Sequence, residues 1–249
     1  MPIYIDKLKG QTPLELVKSF KKEHNIKDKV CYAGRLDPMA RGKMILLKGI
    51  ECKEMIKYCN LRKKYKFTVL FGFETDTYDL LGLVMNKKFN FGFSNSIDTK
   101  KYIGKFKQKY PAYSSFIVRH NEVRRPIWEW TKMGKLSEIE IPSKDIEIYD
   151  FTEEENEIYI PDYEILRDYI FDNINLLSPE NKKKFRVSEI MDKWNETFGK
   201  IDLSIIPIIK TYIADVSSGT YIRSLVDRIG KDLGTNAITL DIARIYIEI

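Results

Sequence analysis

The sequence predicts an α+β fold, a sheet flanked by helices with a helical insertion, on three observations. Strand-like alternation appears at Tyr65–Phe73 and returns at Ile208–Val216 and through the chain end at Ile249. Amphipathic helices flank these strands, one opening at Thr12 and one over Ile222–Leu233. Residues Asp162 to Ile206 carry helix signals of their own and read as a separate helical piece. A chain of 249 residues can bury a large core, and we read it as one domain over residues 1–249 with an insertion at about 162–206.

In chain order, Thr12-Pro13-Leu14-Glu15 is a capping box with proline at the first helical position. Leu14, Val17 and Phe20 mark the inner face of that helix, and Asn25 is its stop. Met44-Ile45-Leu46-Leu47 is a buried strand. Cys52, Met55, Ile56 and Cys59 fall at i, i+3, i+4, i+7, which makes the cysteines small apolar fillers on a helical stripe. Tyr65, Phe67, Val69, Phe71 and Phe73 share one strand face. Thr75 to Asp79 is a polar loop, Leu83-Val84 an apolar return, and Lys87–Ser96 an irregular connection. A helix is expected from Asp98 to Lys107, weakened by Gly104. Within the insertion, Ser178-Pro179 and Ser188 are start signals. Ile190, Met191, Trp194 and Phe198 form its apolar face, and Gly199 its cap. Ile222, Leu225, Val226, Ile229 and Leu233 stripe the last helix, which ends at Gly234.

Composition narrows the function classes. A net charge of +6 favours an anionic partner such as RNA. No apolar run is long enough to span a bilayer, and the N-terminus lacks the basic start and apolar core of a signal peptide. Cys31, Cys52 and Cys59 form no CxxC pair and no ligand cluster with His24 or His120. We therefore expect no zinc or other metal, a reducing compartment, and a cytoplasmic setting, with nucleus or organelle open.

Four features are candidates for chemistry or binding. Gly34 and Gly42 bracket a loop presenting Asp37, which Pro38 holds extended. A carboxylate on a stiff loop suits a nucleophile or base, and Asp-Pro is equally a plain turn initiator. Arg223 opposes the dipole in the first turn of the last helix. It is either a surface arginine lying over apolar neighbours or the partner of a distant carboxylate such as Asp37. Residues Lys105 to Lys135 mix bases with aromatics, among them Lys107, Lys109, Arg124, Arg125 and Trp128. They form either a solvated basic face or an arm whose cations track phosphates while its rings stack on bases. The run Lys182-Lys183-Lys184 with Arg186 poses the same choice.

Five blocks in order resemble the TruB family of tRNA pseudouridine synthases over nearly the whole chain. Gly34–Gly42 is similar to the family's G-x-LDP-x-A-x-G catalytic loop. Lys64-Tyr65 resembles its tyrosine-bearing strand. Gly72 with Thr75-Asp76-Thr77 and Asp79 resembles its LG-x-x-TDT-x-D stretch. Tyr110-Pro111-Ala112-Tyr113-Ser114-Ser115 resembles its P-x-YSA segment, and Ser218-Gly219-Thr220-Tyr221-Ile222-Arg223 its KGTYIR motif.

The resemblance implies a pseudouridine synthase fold, with a mixed, largely antiparallel sheet. It implies isomerisation of a T-loop uridine of tRNA after base flipping, with no cofactor. Asp37 would be the catalytic carboxylate and Arg223 its ion-pair partner. Tyr65 would stack on the flipped base, Tyr221 and Ile242 would line the pocket, and Tyr32 would meet the RNA. The partner is RNA, by this reading the tRNA T-arm, and the protein a monomer. An RNA chaperone of the same fold and a guide-RNA-dependent synthase are the competing classes.

There are departures. The family's DKP-x-G stands as Asp6-Lys7-Leu8-Lys9-Gly10, and its glycine–histidine pair before the loop as Cys31-Tyr32. The helical piece has no family counterpart, and the chain stops where many relatives continue into a small RNA-binding PUA domain.

Overall fold

The computed structural model describes residues 1–88, 97–201 and 206–248. Residues 89–96 of the expected irregular connection, and Ile249, lie outside the described residues. β1 (Ile3–Lys7) leads into α1 (Pro13–Glu23) through the expected capping box. The Glu15 amide donates to Thr12 Oγ1 at 3.2 Å, and the Thr12 amide to Glu15 Oε2 at 2.7 Å. The buried stripe is Pro13, Leu16, Val17 and Phe20, whereas Leu14 is exposed. With Pro13 and Leu16 packed inward at i and i+3, Leu14 points about 100° away from the core. The stop at Asn25 holds, with that residue at φ 50°.

β2 (Val30–Ala33) and β3 (Ala40–Lys48) flank the Asp37 loop, and Met44–Leu47 are fully buried. A 3₁₀ turn over Gly49–Glu54 runs into α2 (Met55–Cys59), and here the expected stripe breaks. Cys52 and Cys59 pack beside Cys31 against Ala33, Ile45, Leu47 and Ile247, but Met55 and Ile56 are exposed. A 3₁₀ turn has three residues per turn, so α-helical spacing does not stay on one face across it.

β4 (Lys63–Phe71) is followed by β5 (Phe73–Thr75) and β6 (Val84–Lys87). Gly72, at φ 96°, breaks the alternation: Tyr65, Phe67, Val69 and Phe71 enter one core and Phe73 the other. The expected helix from Asp98 to Lys107 is absent. A 3₁₀ turn at Thr99–Tyr102 is followed by β7 (Gly104–Lys109), with Gly104 at φ 120°. Lys105, Lys107 and Lys109 are exposed and alternate with half-buried Phe106 and Gln108, a period of two that overrides the helical reading.

β8 (Ile117–His120) and β9 (Val123–Pro126) form a hairpin, then come α3 (Ile127–Lys132) and β10 (Ser143–Glu154). The helical piece comprises α4 (Tyr163–Asn175), α5 (Pro179–Lys184) and α6 (Val187–Phe198). Ser178 caps α5, but Ser188 caps nothing. α6 starts one residue earlier, behind Arg186 at φ 58°. Ile190 and Trp194 are fully buried, with Met191 and Phe198 half-buried beside them, and Gly199 follows the helix as expected. β11 (Ile209–Val216), α7 (Ile222–Asp232) and β12 (Ala237–Ile247) complete the fold.

The main sheet runs β1-β3-β12-β4-β11-β10-β7, with β2 also on β3. Every pairing is antiparallel except β12 with β3, so the sheet is mixed and largely antiparallel, as expected. α1 and α7 pack on one face through Leu16, Val17, Leu225 and Val226. The helical piece covers the other face, where Trp194 and Ile190 meet Leu70, Ile238 and Leu240. β12 is therefore buried on both faces from Ala237 to Arg244, and its apolar alternation leaves no exposed side there. Among the described residues no helix is long and apolar enough to cross a membrane.

Candidate active site

The Asp37 loop is fixed by its own backbone. Ala40 N donates to Asp37 O at 3.1 Å, and Pro38 O accepts from Gly10 N at 2.9 Å and from Lys7 Nζ at 3.3 Å. Lys7 is buried, and burial drives its ammonium down to about 7. At the loop's far end, Gly42 sits at φ 103° opposite Arg244, and a Cβ there would overlap the Arg244 carbonyl.

Arg223 Nε donates to Asp37 Oδ2 at 2.7 Å. The arginine side chain is 3% exposed and the aspartate 30%, so the surface-arginine reading of Arg223 is overturned. Arg223 Nη1 also donates to Thr77 O, and Asp79 Oδ2 lies 3.6 Å from Nε. One guanidinium thus sits between two carboxylates, which offsets the unfavourable helix dipole. Burial opposes the Arg223 charge, but Asp37 and Asp79 outweigh it and hold the proton more firmly than usual. Burial pushes the Asp79 carboxyl up to about 6, against Arg223 and a 2.7 Å hydrogen bond from Thr77 Oγ1. Of the expected Thr75–Asp79 loop, Thr75 ends β5 and Asp79 bridges to Thr239 on β12, while Thr75, Thr77 and Asp79 are buried: the segment works as a bracket for Arg223.

Tyr65 is buried on β4, and its Oη accepts from Arg244 Nε at 3.0 Å. Arg244 also donates to Gly34 O at 2.9 Å, Arg35 O at 2.9 Å and Lys43 O at 3.2 Å. Lys63, close by, donates to Cys59 O at 2.9 Å and to Leu61 O, and burial lowers it to about 8. Tyr221 shares a 2.8 Å hydrogen bond with Ser114. Gln108 holds the Tyr221 backbone at both ends, accepting from its N–H at 2.8 Å and donating to its carbonyl at 3.1 Å. Tyr32 Oη accepts from Arg35 Nη2 at 2.9 Å.

Asp37, Tyr32, Tyr65, Tyr221, Arg223 and Ile242 all line one cleft of about 720 Å³, within the roughly 300–1,000 Å³ usual for ligand sites. The arm reaches this cleft through Tyr113, Trp128 and Lys132, and the helical piece through Asn181, Lys184 and Arg186. Lys107, Lys109, Arg124 and Arg125 do not line it. They are exposed on the sheet edge and the hairpin, and Arg125 pairs with Glu129 at 3.0 Å. Sequence reasoning missed Arg244, Lys63 and Gln108 as parts of the site. Arg244 had a signal: it stands two residues after Ile242 on a strand, hence on the same side, and is a charge in an apolar run. No group of three or more His, Cys, Asp or Glu that could hold a metal lies among the described residues. Chemically, the arrangement offers a carboxylate held in a fixed direction by Arg223 and a buried phenol in the same cleft.

Residues 21–160 match the TruB family pseudouridylate synthase N-terminal domain. The tRNA pseudouridine synthase B of Lactobacillus acidophilus is 28% identical, over 98% of this chain and 67% of that protein. That of Thermosipho melanesiensis is 27% identical, over 97% and 62%. The tRNA pseudouridine synthase 4 of Saccharomyces cerevisiae is 27% identical, over 88% and 60%. The chain thus spans about two thirds or less of the length of these relatives. Among solved structures, a chain of a Cbf5-Nop10-Gar1 complex superposes with TM-score 0.55 at 16% identity, over 99% of this chain and 48% of that one. A chain of an H/ACA RNP bound to a substrate RNA containing 2′-deoxyuridine gives 0.51 at 15% identity, over 99% and 47%. At such identities the shared property is the fold. The matched span contains the Asp37 loop, Tyr65 and the Thr75–Asp79 bracket, and on these grounds the chain belongs to the TruB family of pseudouridylate synthases, which are isomerases.

Proposed function

We propose that this chain isomerises a uridine of RNA to pseudouridine, with the T-loop uridine of tRNA as its target. The observation that carries the reading is the pair of buried Arg223 with half-buried Asp37, 2.7 Å apart, opening onto a cleft that also holds Tyr65. The reaction breaks the N1–C1′ bond, turns the base and joins C5 to C1′. N1 gains a proton and C5 loses one, so the net change needs no redox partner. A uridine stacked in folded RNA cannot present its glycosidic bond, so the base must be flipped into the cleft.

In this scheme Asp37 is the catalytic carboxylate. Arg223 keeps it aimed, since a planar guanidinium fixes the direction of its hydrogen bonds. Tyr65 stacks on the flipped base, its hydroxyl tethered by Arg244. Tyr221 and Ile242 form the pocket walls, and Tyr32 meets RNA at the rim. The residues act as one catalytic domain over 1–249, with the helical piece at 162–206 inserted in it. The proposed working form is a cytoplasmic monomer requiring neither metal nor guide RNA.

The test is incubation of the purified chain with an unmodified tRNA transcript in chelator, followed by nucleotide-resolution mapping of pseudouridine. The expected product carries one new pseudouridine, in the T-loop. Conversion only on addition of a guide RNA would move the chain to the guided class. RNA annealing without conversion would leave the chaperone reading.

A further inference from the structure

The arm and the helical piece meet at the cleft mouth, and their junction concentrates positive charge. Lys132, the last residue of α3, donates through Nζ to the carbonyl of Lys184, the last residue of α5, at 2.7 Å. Arg186 follows two residues on and pairs with Asp76 at 2.9 Å. Burial lowers the Lys132 ammonium, and the neighbouring charges of Arg186 and Lys184 lower it further. Three cations therefore repel one another at one place. Among the described residues only Arg186 is bound to a carboxylate there; neither Lys132 nor Lys184 forms an ion pair. Aromatic rings are interleaved with them. Lys132 Nζ lies 5.3 Å from the Trp128 ring, and the Arg186 guanidinium 4.9 Å from Tyr113. All five side chains line the cleft that holds Asp37.

Uncompensated cations among rings, at the entrance to a pocket, suit single-stranded nucleic acid: charges meet phosphates and rings meet bases. Resting on the RNA reading above, we propose that Lys132 and Lys184 form a phosphate clamp that grips the RNA backbone beside the flipped uridine. The clamp is composite, with one jaw from the arm and one from the helical piece. Arg186 anchors it: its guanidinium ties the helical piece to Asp76, next to the Thr77 carbonyl that receives Arg223. This gives the helical piece a place in substrate binding and not only in the core.

The experiment is equilibrium binding of a T-arm minihelix to the full chain across a potassium chloride series, with no turnover required. Removing one lysine–phosphate interaction should flatten the log–log salt slope by roughly 0.7 to 0.9. Lys132→Gln and Lys184→Gln should each show that change, the double variant about twice it, and Lys132→Arg should restore the slope. Lys193→Gln and Lys200→Gln serve as controls. Lys193 is half-buried and Lys200 exposed, and both pair with Glu196 on α6, away from the cleft. A double variant with the wild-type slope, or controls that change as much, would overturn the clamp. Because the readout is binding alone, a flattened slope without any pseudouridine formation would leave the clamp standing and sink the activity.

Discussion

Two buried arginines hold the Asp37 loop, and they do it by different means. Arg223 meets charge: two carboxylates and one carbonyl surround its guanidinium. Arg244 meets none; its partners are three backbone carbonyls and the phenol of Tyr65. Arg223 governs how the carboxylate is aimed, while Arg244 governs the path of the backbone that carries it. Equal burial thus conceals unequal roles, and substitutions can separate them.

The largest effect belongs to Asp37 itself. Asp37→Asn keeps the volume and most hydrogen bonds but removes the charge. Pseudouridine formation should drop below detection while minihelix affinity stays within about threefold, since phosphate contacts dominate affinity. Wild-type-like turnover in a mapping assay would end its catalytic role. Next comes Arg223→Lys, which retains the charge and loses the planar fork. Misplacing a reacting group by about 1 Å can cost ~100-fold, so a loss of that order in single-turnover rate is expected. If the variant reacts and melts like wild type, the charged side of the comparison fails.

Arg244→Lys should reverse the weighting. It strands buried carbonyls, each costing about 1–3 kcal/mol, so thermal unfolding should move first. Turnover should fall by about tenfold, less than for Arg223→Lys. A variant with unchanged melting and a hundredfold slower reaction would show that Arg244 touches the chemistry.

The smallest effect concerns Lys7, which supports the loop from behind through Pro38. In the unfolded chain Lys7 holds its proton to its usual pKa of 10.5, whereas the folded protein releases it near 7. Between those values the unfolded state binds more protons, so this group makes stability rise with pH. The advantage of wild type over Lys7→Met should therefore widen from pH 7 to 10, by at most about 1.4 kcal/mol per pH unit. A constant gap in chemical denaturation would place the Lys7 side chain in solvent.

Legibility followed locality. The capping box at Thr12 and the stripe of α7 were readable because capping and helical period act over a few residues. Tyr65 to Phe71 was readable because period two is equally local. The Arg223–Asp37 pair stood as one of two alternatives on the residues alone and was selected only through motif resemblance, since 186 positions separate its members. Arg244 was not seen, because its partners are backbone carbonyls that any sequence would supply. The false helix over 98–107 came from weighing Gly104 as a weakness when its positive φ starts a strand. The basic arm divided in two. Lys105 and Lys107 stand across from Glu147 and Asp145 in the sheet register, which suits a solvated edge. Lys132 alone of the arm's lysines lines the cleft.

The single parallel pairing in the sheet bears on how the molecule is made. Ile242–Arg244 lie beside Ala40–Gly42, so the last of these strands to be synthesised is inserted between two early ones, β3 and β4. On the ribosome, a nascent chain that has passed β11 still presents both of those apolar strands with a vacant edge. Such non-local closure is slow and leaves surfaces open to association. The catalytic loop then has no Arg244 behind it and no pocket wall at Ile242. Competence in RNA modification should therefore appear abruptly once β12 has emerged, and a chain terminated before β12 should be captured by chaperones, with no partial activity to show.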